Sequence, residues 1–128
     1  MRKSKRQKDE WPVTYKIRTK GSSWDCFIFP DKRRMMRHMR RTGYSGESFA
    51  AACIPSIRVL VFSAKNLGAG VVAHEVAHAA IAVAGVGKRP TRDQEEEFCD
   101  VVERIVDGFW GGFWKYFCIK NGEPCRKH

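Results

Sequence analysis

His74, Glu75 and His78 form an H-E-x-x-H element inside the apolar run from Gly70 to Ala84. On a helix, residues four apart lie one above the other on the same face. Two imidazoles held that way can bind a single tetrahedral zinc, and Glu75, beside the first, can reach a water on the metal. Two metal ligands and a general base are thus packed into one short segment. The neighbours from Val71 to Ala84 are otherwise apolar or small. In a buried helix of that kind, a carboxylate and two imidazoles without partners are costly through desolvation. Coordination of the histidines, and hydrogen bonding of Glu75 to the metal's water, would offset that cost. The expectation is a buried helix built around a zinc site.

A catalytic zinc keeps three protein ligands and leaves a position for water. The following segment is arranged to supply the third. Gly85 suits a helix C-terminus, and Pro90 blocks continuation. Thr91 and Gln94 have the spacing of a capping box, with Thr91 as N-cap. The second helix is expected from Arg92 to about Val106, opening with Glu95, Glu96 and Glu97. A helix, short loop and helix fold back on themselves, so this acidic first turn can return toward His74 and His78.

A zinc-binding H-E-x-x-H followed, after a short connection, by a helix bearing a glutamate resembles the gluzincin type of zincin metallopeptidase. It is also similar to short phage-encoded H-E-x-x-H proteins and, more distantly, to the ImmA/IrrE metallopeptidase domain. The resemblance covers about Ser56 to Val106. It implies a minimal zincin-like α+β domain over residues 11–128, with a small mixed sheet, a metal-binding helix and a glutamate-bearing helix. The implied ligands are His74, His78 and Glu96, the last because Cys99 and Asp100 follow it at the +3 and +4 positions of the family's pattern. Helical periodicity favours Glu95 instead, which lies nearest the stripe Phe98, Val101, Val102, Ile105 and Phe109. Both stay open at this stage. Glu75 is the implied catalytic base, zinc the cofactor, and a protein or peptide the substrate. A second electrophile is common in such sites; Tyr15, Tyr44 and Tyr116 are available, and nothing in the sequence selects among them.

The chain of 128 residues has room for one modest core and carries a formal charge of +10. The excess concentrates in residues 1–10, expected to be a disordered tail, in Asp31 to Arg41, and at the C-terminus. Such a balance also fits an alternative: a non-catalytic, zinc-stabilised protein whose basic surface meets nucleic acid or a virion or protein partner. Nucleic acid is the less favoured partner, since no known reading motif accompanies the charge. Cys26, Cys53, Cys99, Cys118 and Cys125 are odd in number and show no C-x-x-C pair, and no apolar leader opens the chain. Both features point to reduced thiols in a bacterial or phage-infected cytoplasm. Cys26, Cys53 and Cys99 are expected in the core. The apolar run is too polar and short to cross a membrane.

The remaining elements have to hold the metal helix in place. Strands are expected at Val13 to Thr19, Trp24 to Phe29, Phe49 to Ile54 and, most clearly, Ile57 to Phe62. A helix capped by Asp31 should run to about Arg41 with Met35, Met36 and Met39 inward. In zincins the strand beside the cleft pairs with an extended substrate, a role that falls to Ile57 to Phe62 or a neighbouring edge. The aromatic stretch Phe109 to Phe117 is expected to cover the core, with Gly111 and Gly112 breaking or bending the helix.

Overall fold

A computed structural model describes residues 12–19, 21–43 and 49–120, with side chains through Lys115. The basic tail, Tyr44 and Cys125 lie outside the described residues, as do the side chains of Tyr116 and Cys118. The fold is α+β: a mixed four-stranded sheet with helices on both faces. Strands β1 (Val13–Thr19) and β2 (Ser22–Phe29) form a hairpin that turns through Gly21 at φ 82°. Helix α1 (Lys32–Arg41) follows, its first turn capped by the Asp31 carboxylate, which accepts from the Arg34 amide at 2.8 Å. Then come β3 (Ala51–Ile54), β4 (Val59–Ser63), α2 (Ala69–Ala84) and α3 (Arg92–Lys120).

The sheet order is β1-β2-β4-β3, with β2 and β4 parallel and the outer pairs antiparallel. Alternation along the strands assigns the two faces. Trp24, Cys26 and Ile28 of β2, with Leu60 and Phe62 of β4, meet α2 and α3. Phe27 and Phe29, with Val59 and Val61, meet the buried methionines Met35, Met36 and Met39 of α1. The methionine stripe is therefore core, as its period implied.

Helix α3 is longer than the sequence suggested, and Gly111 and Gly112 do not break it. Gly108 and Gly112 serve close packing instead, while Gly111 faces open space. A Cβ on Gly108 would meet Ile17 Cγ2 at 2.7 Å, and one on Gly112 would collide with the Tyr15 ring. Helix and β1 approach here more closely than any side chain would allow. The Tyr15 hydroxyl locks the contact by donating to the Phe109 carbonyl at 2.7 Å. Phe109 is fully buried, 4.7 Å between ring centroids from Phe62, while Trp114 is half exposed. The aromatic stretch thus covers the core through Phe113 and reaches solvent beyond it. No helix among the described residues is long and apolar enough to cross a membrane.

Candidate metal centre

Helix α2 begins after the short turn Ala64–Asn66, where the buried Ser63 hydroxyl donates to Asn66 Oδ1 at 2.8 Å. It ends at Gly85, whose φ of 65° lets its amide close on the Ile81 carbonyl at 2.9 Å. Val72, Val76, Ala79 and Ala80 pack inward and set the helix's rotation. That rotation turns His74 and His78 outward together and leaves Glu75 on the inner flank. The expectation of a wholly buried site is corrected here: both histidines are exposed, His74 with 68% of its side chain accessible against 12% for Glu75. The residues around them, Gly70, Ala73, Ala77 and Ala82, are too small to cover the imidazoles.

The two Nε2 atoms lie 3.3 Å apart, with the rings edge to face. Two nitrogens about 2.0–2.1 Å from a tetrahedral zinc are separated by about 3.3–3.4 Å. The imidazoles therefore already hold the spacing that zinc requires. Glu75 Oε2 is 4.0 Å from His74 Nε2, and the three side chains form a group whose ligand atoms all lie within 4.8 Å of one another. Apart from that approach to His74, no group among the described residues pairs with the Glu75 carboxylate. Its side chain sits on the inner flank of the helix and lines the cleft beside His74.

The site opens into a cleft of about 370 Å³ lined by Phe49, Ala50, Ala51, Gly70, Val71, His74 and Glu75. One wall is the first turns of α2; the other is the entry to β3, whose far side is a free edge of the sheet. β4 is paired on both sides and cannot add a further strand, so of the two candidates for a strand-pairing role only the neighbouring edge β3 is available. Cys53 of β3 looks toward Glu75; burial first, then the Glu75 charge, pushes its thiol up to about 11. Cys26 is core as expected, Cys53 is half-buried, and Cys99 is exposed because it falls off the inward stripe of α3.

The capping box is present as read. The Thr91 amide donates to Gln94 Oε1 at 2.8 Å, and the Gln94 amide donates to Thr91 Oγ1 at 3.2 Å. Glu95, Glu96 and Glu97 follow on the first turns of α3, all exposed, and the structure brings none of them into the His74–Glu75–His78 group. Register separates them. Glu96 shares its face with Glu103, seven residues on, which is exposed, whereas Glu95 shares its face with Val102, which packs against the core. Tyr15 belongs to the β1–α3 contact and not to this cleft; burial holds its hydroxyl far above the usual range. No protein-family model matches the chain, and neither does any curated protein or any solved structure.

Proposed function

We propose that this protein is a zinc-dependent peptidase with its site on the exposed face of α2. The observation that carries the reading is the 3.3 Å separation of the His74 and His78 Nε2 atoms beside a buried, otherwise unpartnered Glu75. A structural zinc is normally closed off by four protein ligands. Two exposed histidines, one of them lining a cleft, favour the open, catalytic kind.

When bound, zinc supplies Lewis acidity, bringing a coordinated water's pKa toward neutrality and drawing charge from a carbonyl oxygen. His74 and His78 would hold the ion. Glu75 accepts the proton of the attacking water and passes it to the leaving amine. The β3 edge offers backbone donors and acceptors that align an extended peptide along the cleft. For the third ligand, register favours Glu95, with the Glu96 implied by the gluzincin-like spacing as its competitor.

The test measures zinc per chain by elemental mass spectrometry, together with turnover of a mixed peptide library. Wild type should carry about one zinc and cleave; His78→Ala should lose the zinc, and Glu75→Gln should keep it and stop cleaving. A folded wild type without zinc, or a Glu75→Gln variant as active as wild type, sinks the proposal. Comparing Glu95→Ala with Glu96→Ala for zinc retention identifies the third ligand.

A further inference from the structure

We infer that the outer face of α1 is a binding surface for the phosphate backbone of double-helical DNA, on the opposite side of the sheet from the histidines. The inference stands apart from the peptidase reading and needs no metal.

Helix α1 carries Lys32, Arg33, Arg34, Arg37, Arg40 and Arg41 and no acidic residue, and all six cations are exposed. Arg33, Arg37, Arg40 and Arg41 follow the i, i+4, i+7, i+8 spacing of one helical face and line a single shallow depression. Arg34 has a partner in Asp31 at 3.8 Å. Among the described residues, no carboxylate pairs with the other four. Like charges one turn apart destabilise a helix, so this ridge is unfavourable until an anion meets it.

The rest of the molecule sharpens the contrast. Helix α3, on the other face of the sheet, carries Asp93, Glu95, Glu96, Glu97, Asp100, Glu103 and Asp107. Those seven carboxylates stand against Arg92, Arg104, Lys115 and Lys120 on the same helix, whereas α1 carries cations alone. A polyanion approaching the protein is steered to α1.

The chemistry of the ridge selects among polyanions. Its apolar side chains, Met35, Met36 and Met39, are all buried, leaving nothing to insert into a bilayer. Phe27 and Phe29 lie beneath His38, at ring centroid distances of 6.0 and 5.1 Å, so among the described residues of this face they are covered against stacking by single-stranded bases. From Arg33 to Arg41 the helix rises about 12 Å. That matches the roughly 12 Å width of the DNA major groove, so arginines at the two ends can reach phosphates on both flanking strands. Contacts of this kind position a protein on the duplex without reading its sequence.

The experiment titrates the full chain against short labelled duplexes of two unrelated sequences between about 50 and 200 mM salt. Each phosphate neutralised contributes about 0.9 to the slope of log affinity against log salt. Replacing Arg33, Arg37, Arg40 and Arg41 with alanine should flatten that slope by about 3 to 4, and the Arg37→Ala, Arg40→Ala pair by about half as much. Both duplexes should respond alike. Any contribution of the basic N-terminal segment is common to wild type and variants and cancels in the difference. Circular dichroism checks the fold; should the fourfold variant not fold, the pair alone decides. Absence of salt-dependent duplex binding overturns the inference, as does a slope unchanged by the substitutions. Tighter binding to single-stranded DNA or to anionic phospholipid vesicles overturns it too.

Discussion

Glu75 and its two histidines are neighbours in sequence but occupy different environments, and the chemistry proposed for them depends on the difference. A buried base beside exposed ligands should behave separably. Glu75→Gln is expected to leave zinc content intact while lowering turnover by about 10²- to 10⁴-fold, the usual weight of a general acid–base group. Cys26 and Cys53 give a second expectation at this scale. Burial pushes the Cys26 thiol up to about 12 and, with Glu75, Cys53 to about 11, against an ordinary value of 9.0. Both thiols are therefore protonated in the native state where the unfolded chain already ionises. The stability this contributes is intact below about pH 9 and is lost as pH rises toward 11 and 12. The urea midpoint should fall across that interval, and Cys26→Ala should make the fall shallower; an equally steep decline in the variant would refute the assignment. The H-E-x-x-H element was legible from residue types alone, because few other arrangements place two imidazoles and a carboxylate so closely. The exposure of the histidines was not. Their flanking residues are small as well as apolar, and small residues occur on inner and outer helix faces alike.

At the scale of elements, local signals with a stereochemical cause were the dependable ones. Asp31, Gly85, Thr91 and Gln94 each satisfy a helix-terminal backbone group, and each stands where its residue type implied. Replacing Thr91 with alanine should cost about 1 kcal/mol, read from urea unfolding. Gly108 and Gly112 show where local reasoning stops. Glycine ordinarily weakens a helix by about 1 kcal/mol relative to alanine, so the adjacent Gly111 and Gly112 suggest a break. The use of Gly108 and Gly112 becomes visible only when β1 lies across them. Gly108→Ala is therefore expected to destabilise the fold, by about 1–3 kcal/mol from overpacking against Ile17, instead of strengthening the helix. A stabilised Gly108→Ala protein would show that the contact yields. A third ligand for the proposed metal resisted sequence reading for a related reason, since the choice among Glu95, Glu96 and Glu97 depends on α3's rotation against α2. That rotation is set by packing further along the helix.

For the whole molecule, the proposed metal and the fold are separable. The cores on both sides of the sheet close without help from the histidines, which lie outside them. Chelation should abolish turnover yet leave a cooperative unfolding transition, lowered only by the loss of ligand linkage, about 2.7 kcal/mol at a zinc concentration one hundred times its dissociation constant. Collapse of the native circular dichroism on chelation would instead make the zinc structural. The contact between Tyr15 and Phe109 has its own consequence for how the chain is made. The two residues are 94 positions apart, yet together they fasten β1 to α3. While the polypeptide emerges from a ribosome, the β1–β2 hairpin must wait with Ile17 uncovered until α3 has been synthesised past its middle. The H-E-x-x-H helix appears well before that moment, on a sheet that cannot yet close. A nascent chain stopped short of Phe109 is thus left with the β1 flank of its sheet uncovered.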